Sequence, residues 1–571
     1  MTGFTIKTFS GKAPKVYARL LPSDVGQEAI NVRLDSGRLE PWKDNASTSI
    51  TPVDSYTVTS QTQTLFKYDA NTWMGSNRDL NIVRSPIAED PWERIYVTGK
   101  GTGSTAYPQM TLSTIVGSGT YYRLGLPAPA SLPSTPVLSN KDSSATIPTG
   151  AATPSLLIDQ ETPKSISYVV TYVSTYGEEG PPSQPLLANI VDVYSDQNVT
   201  VTFPANPSGY GNIAKKRLYR TDTSGTYRRV KDSDYSAATV LDDLSESELQ
   251  EALPSASWEA PPDEVTSGDY GHKDGPMLGL VAMPNGILAG FSGQTICFSE
   301  AFLPHAWPRN FQLTAKSDIV ALAPMTSGLL VLTKEKPAMI QGLDPSSMSM
   351  TEIDSTMSCV RKRRVVDMGS YAMYASPDGL VMGGERGLQV ATQDILTREQ
   401  WQELVPSSIV GFAWEGHYIG FYSTGSENKG FIFDPKGGKN SFVSLDFHAT
   451  AGFNDLENDE LYLVVGGNVV KFASGSNKNF TWRSKKFYTP RPINPAVAKV
   501  DCDTYGSGIT VKLFVDGSAS ETHSQTVPSS TPFRLPSGYK GKEFEVQVQG
   551  SVPINELCVY ESVEEFGSDQ A

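Results

Sequence analysis

Apolar and polar residues alternate along most of this chain, over five or six positions at a time, and the alternating runs end at Gly, Asn, Asp, Ser or Pro. Successive side chains on a strand point to opposite faces, so this pattern predicts short strands joined by turns. Runs of Ala, Glu, Leu and Lys at helical spacing are absent, and the chain reads as all-β. TLFKYDANTWMGS, from Thr64, reads as a hairpin. ERIYVTGKG, from Glu93, places Arg94, Tyr96 and Thr98 on one strand face and Ile95 and Val97 on the other.

A longer period lies over the short one. GILAGF, GLLVLT, GSYAMYA, GHYIGFY and ELYLVV begin at Gly286, Gly328, Gly369, Gly416 and Glu460, 41 to 47 residues apart. Each follows a polar turn, and a second apolar strand usually comes next. A four-stranded propeller blade needs a period of this size. One blade cannot bury its own faces, so blades must stack to complete a core. The expected body is therefore a β-propeller; the competing expectation is a pair of ordinary sandwiches.

The remaining segments differ in character. Residues 1–52 read as an extended N-terminal arm punctuated by Pro14, Pro22 and Pro41, with a short amphipathic turn near Val25 to Val32 that has helical spacing. Such an arm must lie against another domain or subunit, and it is expected to pack outside its own propeller. Residues 53–127 are strand-like and expected to complete the propeller. Residues 128–156, rich in Pro, Ser, Ala and Thr, read as a linker. Residues 157–262 carry SISYVVTYVSTYGEEGPPSQP and the hairpin KKRLYRTDTSGTYRRVKD, and are expected to form an inserted β-sandwich. Its strand–loop pattern resembles fibronectin type III domains. Residues 263–480 hold the blades, and 481–571 are expected to form a C-terminal antiparallel β-sandwich.

Charge narrows the function classes. With 47 Lys and Arg against 62 Asp and Glu the net charge is −15, which argues against a general nucleic-acid binder. Cys297, Cys359, Cys502 and Cys558 are far apart and form no CxxC pair, so they read as reduced core thiols. The start Met-Thr-Gly-Phe has no signal-peptide pattern, and no apolar run has the length of a membrane span.

One stretch holds the residue types of a hydrolase. CFSEAFLPHAWPRNF, from Cys297, contains Ser299, Glu300 and His305 beside Trp307. Adjacent residues on a strand face opposite ways, and the GxSxG elbow is missing, so the expected role is a strand end and a loop that tucks Trp307 over its blade. His272, His305, His417, His448 and His523 show neither HxxxH nor HxH spacing. DANTWMG, with Asp69, Asn71 and Gly75, echoes a calcium loop but has Leu80 at the position of its last ligand. Asp501 and Asp503 share a strand face and read as solvated surface. Two basic clusters stand out: Lys215, Lys216, Arg217, Arg220, Arg228, Arg229 and Lys231 on one hairpin, and Arg361 to Arg364 between blades. A nucleic-acid or acidic-partner contact is the sharper reading, a solvated hairpin edge that blocks strand pairing is favoured over it, and a subunit interface accounts for both clusters equally well. No catalytic, cofactor-binding or metal-ligating residue is assigned, and the chain is not expected to be an enzyme.

Several segments, in order, resemble the nozzle (tail-tube tip) proteins of short-tailed bacteriophages: GKAPKVYARLLPSDVGQEAINVRLDSGRLEPWK, SYVVTYVSTYGEEGPPSQP with KRLYRTDTSGTYRRV, NGILAGFSGQTICFSEAFLPHAWP, ASPDGLV at Ala375 and FRLPSGY at Phe533. The resemblance implies a structural virion protein assembled in the host cytoplasm. It would form a ring of copies of itself, six-fold by family likeness, below the portal and adaptor proteins and near tail fibres or spikes. Viral DNA would pass through without specific binding, and no cofactor or membrane anchor is implied. A conduit of this kind is expected to have a neutral to acidic lining, because a basic wall would hold DNA phosphates. The alternative class is a carbohydrate-binding or glycan-degrading propeller from a phage tail.

Overall fold

The computed structural model describes residues 3–102, 105–141, 162–263, 275–326, 328–359, 361–384, 387–437, 441–505 and 508–565. Most of the expected linker and His272 lie outside the described residues. Two compact units are present: Met1–Asp79, Val320–Ile340 and Thr351–Ala571 form the first, and Leu80–Ile319 with Gln341–Met350 the second.

The chain is all-β, and its body is built of β-propeller blades. In the first unit, strands Val366–Asp367, Ala372–Ser376, Gly379–Gly384 and Gly387–Val390 pair in order, as do Val410–Trp414, His417–Ser423, Asn428–Phe433 and Phe442–Leu445. Ala451–Asp455, Glu460–Val465 and Asn468–Lys471 form the next blade. Its fourth strand, Ala46–Ser47, comes from the N-terminal arm. Each repeated apolar run seen in the sequence is the second strand of its sheet. That strand is covered on both faces, which is why its residues read as nearly continuous apolar.

The blades stack through their faces. Met373, Trp401 and Phe431 share one cluster, Ile419, Phe421, Leu461 and Leu463 a second, and Leu65, Trp73, Ala451 and Val464 a third. Each fully buried Leu, Ile or Phe contributes about 1.5–3 kcal/mol relative to exposure. The third cluster brings in the hairpin Thr64–Lys67 and Trp73–Ser76.

In the second unit, Asn81–Arg84, Arg94–Thr98, Gln109–Leu112 and Tyr122–Arg123 form a blade that packs on Leu278–Ala282, Leu288–Ser292, Thr295–Phe298 and Leu313–Thr314. All five residues from Arg94 to Thr98 are buried. The expected polar face of this strand is therefore absent, because a neighbouring sheet covers it.

The second unit also holds a sandwich. Val137–Asn140, Gln197–Thr202 and Thr239–Asp242 make one sheet, and Tyr168–Ser174, Ile213–Thr221 and Tyr227–Asp234 the other. Tyr168, Val170, Val199, Val201 and Leu218 fill the space between them.

The arm is woven into the first unit. Phe4–Ile6 pairs antiparallel with Ile554–Tyr560. Glu28–Ile30 sits between Phe442–Leu445 of a blade and Phe480–Arg483, which pairs in turn with Gly541–Gly550, all within one 12-stranded sheet. The stretch with helical spacing is instead Val25–Gly26, Glu28–Ile30 and Val32–Arg33, broken at Asn31 with φ +53°. Val25, Ala29 and Val32 are fully buried, and sheet partners on both sides override a weak helical pattern.

Candidate functional site

The Ser–Glu–His stretch forms the end of the strand Thr295–Phe298 and the loop beyond it. Ser299 is fully buried, and the main chain uses its hydroxyl. Leu288 N–H donates to Ser299 Oγ across 2.9 Å, and the hydroxyl donates to the Glu300 carbonyl across 2.9 Å. His305 packs edge-on against Trp258, with ring centroids 5.7 Å apart, and its Nδ1 is buried without a partner. No hydrogen bond joins Ser299 to His305 among the described residues. Burial, then the charge of Arg94, push the His305 pKa down to about 4. Burial and, next, Asp344 raise that of Glu300. Trp307 is fully buried, and its Nε1 donates to the Pro304 carbonyl across 2.9 Å. The loop is thus a wedge between buried groups, with no activated nucleophile.

The basic hairpin is neutralised by acids of the same sandwich. Arg217 donates from Nε to Asp232 and from Nη1 to Glu179, each at 2.7 Å. Arg220 donates to Asp242 at 2.7 Å, and Arg228 to Asp222 at 2.7 Å. Arg229 pairs with Glu251 at 3.0 Å, and Lys215 lies 3.7 Å from Asp232. Lys216 is buried, donates to the Ala237 carbonyl at 2.9 Å, and lies 5.2 Å from the centroid of Phe203. Lys231 is exposed. Of the second cluster, Lys362 pairs with Asp79 at 2.9 Å, Arg363 donates to the Thr450 carbonyl, and Arg361 is exposed. Cations already engaged in this way leave little free charge for phosphates.

A buried ionic network nearby was not singled out in the sequence. Arg94 donates to Asp90 at 2.7 Å and to Glu178 at 2.8 Å. Glu179, beside it, accepts from Thr171 Oγ1 at 2.7 Å and from Tyr219 OH at 2.8 Å as well as from Arg217. The signal was the pair of carboxylates in YGEEG, placed after a strand that is buried at every position.

A hollow of about 650 Å³ opens in the sandwich. Ile166, Val193 and Val199 give it apolar lining, and its charged groups are Lys141, Lys164 and Arg220 against Asp222, Asp242 and Glu246. Lys164 is paired with Glu246 at 2.6 Å and Arg220 with Asp242, so the hollow is charge-balanced.

Other expected features resolve into structure. Asp69 accepts the N–H groups of Asn71 and Thr72, each at 2.7 Å, and so caps the turn of a hairpin. Asp501 and Asp503 both accept from Asn555 Nδ2, at 3.3 and 2.9 Å. All four cysteines are buried thiols outside any disulfide. Among the described residues no cluster of His, Cys, Asp and Glu has metal-site geometry, and no helix is long and apolar enough to cross a membrane.

No protein-family model matches the chain, and no curated protein matches it. Solved structures similar to it include the Dos1 propeller, at 12% identity over 75% of this chain and 97% of that one, with a TM-score of 0.24. Hsv2 of Kluyvelomyces marxianus is 6% identical over 54% and 89% of the two chains, TM-score 0.22. An exo-beta-1,3-galactanase from Phanerochaete chrysosporium is 7% identical over 70% and 100%, TM-score 0.18. At such scores these likenesses bear on neither activity nor partners.

Proposed function

We propose that this protein is a structural subunit of a short-tailed bacteriophage virion, copies of which form the distal nozzle ring of the tail. The ring would attach below the portal and adaptor, beside tail fibres or spikes, and serve as a conduit for the genome. The resemblance of ordered segments over most of the chain motivates the reading. The observation that carries it is the strand Glu28–Ile30, held between the blade strand Phe442–Leu445 and Phe480–Arg483 in one 12-stranded sheet. A continuous hydrogen-bonded sheet resists being pulled apart, as a component under genome pressure must. Internal pairing of the cations and a net charge of −15 suit a wall past which DNA slides.

Electron microscopy of virions that contain this chain tests the proposal. A closed ring below the portal with a neutral to acidic lining is the expected result. Absence of the chain from virions, or a continuous basic lining, overturns it. Reducing-sugar release from host polysaccharide by the purified chain would instead favour a glycan-degrading component.

A further inference from the structure

The turn between strands Ala451–Asp455 and Glu460–Val465 is unlike an ordinary solvated tip. Its residues are Leu456, Glu457, Asn458 and Asp459, and Leu456 is 84% exposed. A lone exposed leucine is commonplace. This one stands on a rigid base. Asp455 is buried, pairs with the buried Lys67, and accepts from Asn458 Nδ2 at 2.9 Å. The carboxylate thus clasps the far side of its own turn, in which the exposed Leu456 is followed by Glu457 and Asp459.

A surface of opposite character lies in the arm of the same unit. Tyr17 and Leu20 are 66% and 73% exposed, and Tyr488 is 47% exposed with the Arg19 guanidinium 4.1 Å from its ring centroid. Lys15 adds exposed charge, while Arg491, also exposed, is paired with Glu561 at 3.5 Å. This loop too is pinned: Lys15 N–H donates to the Ile395 carbonyl at 2.9 Å, Gln400 Nε2 to the Pro14 carbonyl at 3.0 Å, and Lys486 N–H to the Ala18 carbonyl at 3.2 Å. A preorganised apolar patch rimmed with cations, on a chain of net charge −15, selects an acidic partner. Another copy of the chain offers one, with an apolar tip next to Glu457 and Asp459.

We propose that the Leu456 tip of one copy seats in the Tyr17–Leu20–Tyr488 patch of the next. The two surfaces belong to different elements, so the contact is heterologous, and a contact of that type closes into a ring when its rotation allows. The inference rests on the reading that copies of the chain assemble.

Cysteine trapping tests it on the full chain, where the four native thiols are buried. Leu456→Cys and Leu20→Cys proteins are prepared separately, mixed and oxidised. Cross-linked dimer in the mixture, and little in either alone, is expected. Leu456→Glu should weaken self-association, read by analytical ultracentrifugation, by about tenfold or more. Glu457→Lys combined with Arg19→Glu should associate more strongly than either single variant. Self-association that survives Leu456→Glu, or a mixture that fails to cross-link, overturns the contact. A virion ring built through other surfaces would overturn the contact and leave the nozzle reading standing. A cross-link formed by a chain that virions lack would do the reverse.

Discussion

Arg94 Nη1 donates to Glu178 Oε1 across 2.8 Å inside the second unit, with both side chains buried. Arg94 lies on a blade strand and Glu178 in a turn of the sandwich, so the pair helps fasten the two, beside the ring contacts of Tyr176 with Trp92 and Tyr122. Arg94 also holds Asp90, so removing Arg94 leaves two carboxylates uncompensated, whereas removing Glu178 leaves Arg94 its bond to Asp90. Arg94→Ala should therefore lower unfolding free energy by about 3–5 kcal/mol, Glu178→Ala by less, and replacing both residues with apolar ones should cost less than the two single changes together. Urea unfolding of the single and double variants reads both outcomes.

His305 makes the same region sensitive to acid. Its folded pKa is lowered from 6.5 to about 4, mainly by burial and secondly by Arg94, while Glu179 acts in the other direction. A lowered histidine pKa means the unfolded chain binds the proton first. Stability is lost as pH falls from about 6.5 to about 4 and changes no further below that, amounting to about 3 kcal/mol. Melting temperatures over this range should fall for the natural chain and fall less for His305→Phe.

Ser299→Ala should act on stability rather than on chemistry. It leaves the buried N–H of Leu288 without its acceptor, a loss of about 1–3 kcal/mol. Trp307→Ala empties a fully buried site and should cost about 3–5 kcal/mol. If Ser299→Ala proved as stable as the natural chain by denaturant midpoint, the assigned role of its hydroxyl would be wrong.

The internally paired hairpin predicts weak attraction for DNA. Fluorescence anisotropy with a labelled duplex should show no saturable binding at about 150 mM salt. Arg217 and Arg220 are held by Glu179, Asp232 and Asp242. Asp232→Asn with Asp242→Asn should therefore release cations and raise binding at low salt. Tight binding by the natural chain would contradict the pairing.

Removing residues 1–12 deletes the strand Phe4–Ile6 and uncovers the edge of Ile554–Tyr560. An uncovered edge strand pairs with other chains. Light scattering should report aggregation of the truncated chain at concentrations where the full chain stays clear.

What the sequence alone determined was local and periodic. Alternation marked the strands, and a recurrence every 41 to 47 residues marked the blades, because burial on a pleated strand repeats every two residues and a blade repeats as a unit. The adjacency of Ser299 and Glu300 and the missing GxSxG elbow pointed to a strand end and loop, and Ser299 indeed follows directly on the strand Thr295–Phe298. Tertiary structure alone decided what no local window contains. Arg94 and Glu178 are 84 residues apart, and Lys12 and Ser444 are 432 apart. Whether a charge is free or paired depends on which strand lies beside it. The same holds for Val25 to Val32, whose spacing permitted a helix and whose neighbours in the sheet made strands. The covered face of Arg94–Thr98 is a third case, since a polar residue on a strand reads as exposed until another sheet is laid over it.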